Sequence, residues 1–334
     1  MALKENLTNS KIKKYLGSFS GIRIRNMGLL FALIILIVFF AFLSHGRFFT
    51  ISNFLTVSRQ VSLTIIVGVG MNFIMIAGNI DLAVGSYLAL SGVLVAAILH
   101  YGVPWYLALI IIMIFMGLIG ALVGTVVAKQ KLNSLIATLA MLGIASGAAL
   151  AYTGGIPIFI KNQKFISIGN GYFGPIPIPV VIAFFVLIIG QFVLQKTKFG
   201  RYIYAVGGNM KAAITSGINI DRIIIYTFAI TGMLSGISGS IMAGRLFSGN
   251  PTVGQDFNLD VIAAVVIGGT SLAGGIGNMW GLLIGTFLVG IIGNGLTILG
   301  VPYFYQIIAK GLIMYIAILI DRQTRQAGLG RNRV

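Results

Sequence analysis

The sequence predicts an all-α polytopic membrane protein with about ten transmembrane helices and both termini in the cytoplasm. Three observations lead there. Of the 334 residues, 57% are hydrophobic and only 9% are charged, giving a mean hydropathy of +1.01; an average soluble domain is about 25% charged. Ten apolar stretches approach the ~20 residues that a helix needs to cross hydrocarbon. The basic residues fall mostly on alternate connections between those stretches, as the positive-inside rule requires.

Taken in order, the apolar stretches are 27–44, 61–78, 82–99, 104–128, 134–153, 177–195, 223–244, 260–276, 279–298 and 304–320. The eighth is short and full of glycine. With a cytoplasmic N-terminus, the inside segments hold Lys4, Lys11, Lys13, Lys14, Arg23 and Arg25, then Lys129 and Lys131. They also hold Lys196, Lys198, Arg201, Lys211 and Arg222, and finally Arg322, Arg325, Arg331 and Arg333. Only Arg47, Arg59, Lys161, Lys164 and Arg245 fall outside, and Lys310 lies within a span. The net charge of +17 is therefore topological and does not point to nucleic acid. The organisation follows: residues 1–26 a cytoplasmic N-terminal segment, 27–320 the transmembrane domain, 321–334 a cytoplasmic tail. The first apolar run is long for a signal sequence, and no small-x-small cleavage site follows it, so it reads as an uncleaved span.

Composition also excludes chemistry. Cysteine is absent, which removes disulfides, thiolate metal sites and cysteine nucleophiles. Six acidic residues and two histidines are too few for a carboxylate-rich metal cage or an ordinary acid–base centre. No Gly-x-x-x-x-Gly-Lys-Ser/Thr stretch occurs, so there is no phosphate-binding loop. The spans also lack the chain of ionisable residues that a proton pump needs.

Two outside loops are long, 154–176 and 245–259, and read either as solvated connectors or as a docking rim for an extracytoplasmic partner. The inside loop 196–222 is the most distinctive. Gly207-Gly208 marks a turn, Asn209 is placed to cap a helix, residues 210–216 are good helix formers, and Gly217 is placed to end it. Such a short capped helix suits a groove in another protein; it is equally readable as a surface-lying amphipathic turn.

Within the membrane, Asn79-Ile80-Asp81 joins two spans with no hydrophilic loop. A carboxylate at a helix centre costs about 2.5–3.5 kcal/mol. Asp81 therefore sits at a helix end or break, either capping the third helix or taking part in a gate. A similar glycine-rich junction runs from Ile267 to Asn278, as a distant internal duplication or as an independent tight turn. Gly-x-x-x-Gly spacings at Gly120/Gly124, Gly143/Gly147, Gly232/Gly236 and Gly281/Gly285 predict close helix packing. Gln306 and Lys310 lie one turn apart in the last span, where Lys310 snorkels or, the favoured reading, faces a wet interior.

Several segments then carry a resemblance covering residues 47–322. They are Asn79-Ile80-Asp81-Leu82-Ala83-Val84-Gly85-Ser86, the run from Gly200 to Asn209, Ala212-Ala213 with Ser216-Gly217-Ile218, the run from Leu259 to Gly275, and Tyr305-Gln306 with Lys310. In these the chain resembles the membrane permease subunit of ribose-type ATP-binding-cassette importers. The resemblance implies a multi-pass protein of the bacterial cytoplasmic (inner) membrane that pairs around a central path, as a homodimer or a paralogue heterodimer. A separate ATPase subunit would hold ATP and Mg, so that this chain binds no cofactor, and an extracytoplasmic solute-binding protein would deliver the solute. The loop holding Arg201, Gly207, Gly208, Asn209, Ala212, Ala213, Ser216 and Gly217 matches the family's coupling helix. Asn79 stands where many relatives carry Gly or Ser. Ribose is the first expected solute, with galactose, xylose, an autoinducer-like furanose or a nucleoside as alternatives, and a stand-alone secondary carrier as the reading from another class. A neutral sugar suits a path with few charges, for which Asn72, Ser91, Thr138 and Asn294 offer hydrogen bonds, either as path lining or as helix packing.

Overall fold

The computed structural model describes residues 27–330. The expected N-terminal segment 1–26 lies outside them, as does the end of the expected tail, residues 331–334. The chain runs α1 (Met27–Leu43), α2 (Ile51–Ile76), α3 (Val84–His100), α4 (Trp105–Lys129), α5 (Ser134–Thr153), α6 (Gln163–Asn170) and α7 (Ile178–Lys196). It continues α8 (Lys198–Gly208), α9 (Met210–Thr215), α10 (Ile220–Arg245), α11 (Phe257–Ile267), α12 (Met279–Ile298) and α13 (Tyr303–Gly330). Six of these, α2, α4, α5, α7, α10 and α12, are long and apolar enough to cross a membrane. The α1, α3 and α11 helices are apolar but shorter. Four two-residue strands pair near α6: Ile158–Phe159 with Ser248–Gly249, and Tyr172–Phe173 with Ile176–Pro177.

The centre is α2. Every residue from Val61 to Ile76 is buried, the mark of a helix enclosed on all sides. It packs against α10, α7, α12 and α11, and α10 in turn lies along α4 and α3. The helix starts ten residues before the apolar stretch 61–78, because Thr50 caps it by accepting the Asn53 N–H at 3.2 Å. Arg59 in this added portion lies over the Tyr172 ring, 4.6 Å from its centroid.

Three of the four Gly-x-x-x-Gly pairs set close helix contacts. A Cβ on Gly120 would overlap the Phe228 carbonyl, and one on Gly232 would overlap that of Met116, so α4 and α10 touch backbone to backbone. Gly281 and Gly285 meet Gly268 and Ala264 in the same way. Gly143 and Gly147 on α5 face open space instead, so this pair does not pack within the chain.

The third expected span, 82–99, is matched by the single helix α3, whereas the eighth is broken. At 1.5 Å per residue the seventeen residues of α3 reach about 26 Å, short of the ~30 Å hydrocarbon core. The preceding residues 77–83 are not helical, and Asp81 among them is fully buried. The eighth span, expected over 260–276, is helical only through the eleven residues of α11, about 16 Å. Gly268, Gly269, Gly274 and Gly275 interrupt the apolar run, and residues 268–278 form an irregular loop. Non-helical backbone is tolerated at membrane depth only where protein or a wet cavity covers it, and Thr270, Ser271 and Ala83 are indeed buried.

Gly232→Val is expected to lower the thermal unfolding midpoint of the detergent-purified chain, by the equivalent of about 1–3 kcal/mol, while Gly143→Ala does not lower it and raises it by at most the equivalent of about 1 kcal/mol. Circular dichroism melts of the two variants check this.

Candidate functional site

The inside loop expected over 196–222, with a short capped helix at 210–216, is mostly helix. Thr197 serves two helices at once, donating its hydroxyl to the Val193 carbonyl at 2.7 Å and accepting the Gly200 N–H at 3.2 Å. The α8 helix folds back on α7, with Gly200, Ile203 and Val206 buried and Arg201 exposed. Phe199 stands between Phe73 and Tyr226, each ring 6.3 Å away. Gly207 and Gly208 do not form the expected turn but close α8 as its last two residues.

The chain then turns at Asn209, whose side chain accepts the Ala212 N–H at 3.0 Å and caps α9. Gly217, at φ +77°, ends that helix. Its N–H reaches the Ile214 carbonyl at 2.9 Å and the Ile218 N–H reaches Ala213 at 3.1 Å, a Schellman closure. Asn219 caps α10 through the Arg222 N–H at 3.0 Å. Local hydrogen bonds therefore set both ends of α9. Ala213 is buried, whereas Gly208, Asn209, Ala212, Ser216 and Gly217 are exposed.

Behind this knob three segments meet backbone to backbone. A Cβ on Gly207 would overlap the Ile76 carbonyl and stand 2.7 Å from the Gly275 nitrogen. The Gly275 N–H donates to that same Ile76 carbonyl at 2.8 Å. A Cβ on Gly274 would lie 3.0 Å from the Cα atoms of Gly207 and Gly78. Side chains tie the junction further. The Tyr204 hydroxyl donates to the Gly277 carbonyl at 2.7 Å, and its burial pushes the phenol up to about 12, so it remains a donor at any ordinary pH. Asn72 donates to the Asn278 carbonyl at 3.2 Å and accepts the Thr270 hydroxyl at 2.6 Å. Asn278 in turn caps α12 through the Gly281 N–H at 2.6 Å.

The structure brings Asn72 to this junction and scatters the other expected path residues. Asn79 is half-buried and borders a 670 Å³ cavity beside α9, together with Lys131, Met210 and Asp221. Asp81 accepts the Ala83 N–H at 2.8 Å through one carboxylate oxygen, and its other oxygen is buried without a hydrogen-bond partner. It thus supports the start of α3 from within the break, although Ala83 occupies the cap position itself. Ser91 and Thr138 are fully buried and donate to Leu88 at 3.0 Å and Ser134 at 2.7 Å. The Asn294 side-chain oxygen is buried without a partner, and Gln306 donates to the Val301 carbonyl at 2.9 Å.

Lys310 is not the isolated cation that its sequence position suggests. Its Nζ lies 2.8 Å from Asp260 of α11, and both side chains are 19% exposed. Seven residues earlier on α13, the Tyr303 hydroxyl donates to Asp256. Neither acidic partner was readable as such, because the pairing depends on how α11 and α13 lie together. Among the described residues, no three His, Asp or Glu side chains gather as a metal-ligand set. The arrangement joins an exposed helix, capped at both ends, to two non-helical stretches through direct backbone contact.

Comparison with known proteins finds transport-system permeases. Residues 53–319 match the family described as branched-chain amino acid transport system, permease component. The ribose import permease protein of Haemophilus influenzae is 42% identical over 87% of this chain and 91% of its own length. That of Bacillus subtilis is 41% identical over 91% and 95%, and the xylose transport system permease protein of Escherichia coli is 35% identical over 93% and 95%. No solved structure matches the chain.

Asn209→Ala is expected to cost α9 about 0.5–2 kcal/mol. Hydrogen exchange at residues 210–215 should accelerate while the global unfolding midpoint stays near its original value.

Proposed function

The chain belongs to this family of transport-system permease components, and from that premise we propose that it forms the membrane path of an ATP-driven importer for a monosaccharide, ribose first. Identity of 40–42% to ribose import permeases over about nine-tenths of the chain carries the reading. The similarity to a xylose permease supports xylose as the second reading. The chain is a transport component and not an enzyme.

In the proposed assembly, ten segments cross the bacterial inner membrane and both termini lie in the cytoplasm. A second permease copy or a paralogue completes the path, and an extracytoplasmic binding protein delivers the sugar. A separate ATPase subunit, carrying ATP and Mg, receives α9 in a cleft. Closure of that subunit displaces α9 as a lever. Gly207 presses on Ile76 and Gly274 with no side chain between, so displacement reaches the break at 77–83 and the loop at 268–278. Each nucleotide state then favours the conformation it contacts better, which is the coupling free energy that alternating access needs.

Proteoliposomes holding this chain, the ATPase and the binding protein should accumulate ribose only with ATP; full uptake without the ATPase would sink the reading. A Cβ at Gly208 meets open space, so Gly208→Trp together with Asn209→Trp should insert normally. We expect the pair to reduce ATP-driven uptake at least tenfold while ATP hydrolysis persists, measured on the same vesicles.

A further inference from the structure

A second cavity lies apart from the α9 junction, where α3 and α11 approach each other. It has a volume of 230 Å³, room for several waters. Its walls come from the first turns of α3, the middle of α5, the irregular stretch 251–255 and the first turn of α11. Leu82, Ala89, Leu142 and Val253 supply apolar surface. Ser86, Ser146, Thr252, Gln255 and Asn258 supply neutral polar groups, and no charged side chain borders the space.

Some of those polar groups are already engaged. Ser86 donates to the Ala83 carbonyl at 2.8 Å, and Thr252 turns back on Asn250 through its N–H at 3.0 Å and its hydroxyl at 2.9 Å. Others are not. The side chains of Ser146 and Gln255 make no hydrogen bond among the described residues. The Asn258 Nδ2 donates weakly to Leu82 at 3.4 Å, and its side-chain oxygen is buried with no partner.

The walls also touch the element that moves in the proposed cycle. Gly254, at φ +83°, sets its carbonyl against Gly85, where any Cβ would overlap it. Leu82 lines the cavity one residue beyond Asp81 and four beyond Gly78 of the glycine junction. A shift of the 77–83 break therefore alters this cavity's wall directly.

We propose that this cavity holds the transported solute during its passage and that its ligand class is a neutral, hydroxyl-rich small sugar. The inference rests on the transport reading above. Apolar patches meet the C–H faces of such a ring, while Ser146, Gln255 and Asn258 exchange hydrogen bonds with its hydroxyls. An ion would find no countercharge here, and an apolar solute would leave the three amide and hydroxyl groups unpaired.

The chain has no cysteine, so single substitutions report without background. Ser146→Cys, Gln255→Cys and the outward-facing control Leu139→Cys, whose residue is 54% exposed, are each reconstituted with the ATPase and the binding protein. A charged methanethiosulfonate reagent is the probe, with and without D-ribose. Ser146→Cys and Gln255→Cys should react, D-ribose should slow both at least fivefold, and labelling Ser146→Cys should cut ribose uptake at least tenfold with ATP hydrolysis intact. Leu139 lies outside the cavity lining, so D-ribose should not slow any labelling of Leu139→Cys. If Ser146→Cys and Gln255→Cys are inert, or react without protection and keep full uptake, the cavity is not on the path. Absence of ATP-driven uptake by the unlabelled wild-type chain would overturn the transport reading itself, and the ligand class with it.

Discussion

The carbonyl oxygen of Ile76 is the point on which the rest of the structure depends. A helix ends with four carbonyls that its own backbone does not satisfy, and inside an apolar bundle each unsatisfied group costs several kcal/mol. The final turn of α2 solves this completely. Ala77, Gly78 and Asn79 return their N–H groups to Phe73 at 3.1 Å, Met75 at 2.9 Å and Ile74 at 3.0 Å. Ile76 is left over and takes the Gly275 N–H from the other end of the chain at 2.8 Å. That bond forms only if three backbones converge, which is why positions 207, 274 and 275 leave no room for side chains. One hydrogen-bonding obligation thus fixes where α2 stops, where α8 ends and where the α11–α12 loop lies.

Most buried hydroxyls bond back to their own helix, as Ser91, Thr138 and Thr231 do, and a smaller set of polar side chains connects elements distant in sequence. Asn72 joins α2 to the 268–278 loop through Thr270 and Asn278. Lys310 and Tyr303 join α13 to α11 through Asp260 and Asp256. A lone lysine or aspartate in hydrocarbon is expensive, and the pairing offsets much of that cost. The same pairing makes each partner hostage to the other, because deleting one leaves an uncompensated charge. The two contacts of α13 lie on one face of that helix, so they set its rotation as well as its position.

What the sequence revealed and what it concealed follow from the range of each interaction. Hydrophobic stretches marked the membrane-crossing helices, since burial in lipid or protein selects apolar residues locally. The Asn209 cap and the Gly217 closure were readable because both act within one turn. The early start of α2 was missed, since Thr50 and Arg59 lie outside the apolar run. The end of α11 was legible only in part: the glycine-rich junction from Ile267 to Asn278 was marked, yet residues 270–276 are apolar enough to have been counted in the eighth span. Gly207-Gly208 looked like a turn because glycine disfavours helix interiors; packing against Ile76 overrode that preference. The Lys310 partner was invisible because Asp260 lies fifty residues away, and nothing local announces a contact at that separation.

The placement of rigid and irregular backbone gives a physical basis for movement. The α4 and α10 helices interlock through glycine contacts with carbonyls, as at Gly120 and Gly232, and Gly70 of α2 sits against the Cα of Thr231 on α10. Close-packed interiors of this kind shift between discrete arrangements rather than deform continuously. Residues 77–83 and 268–278 differ, because there the chain has already left the helix and further change in φ and ψ breaks few ladder hydrogen bonds. Both stretches touch Gly207, and α9 begins three residues later. A force applied to α9 therefore meets stiff helices along α10 and compliant backbone at the two breaks. In the proposed cycle its displacement would be resolved at the breaks, and these border the ends of α3 and α11 that approach each other at Gly85 and Gly254.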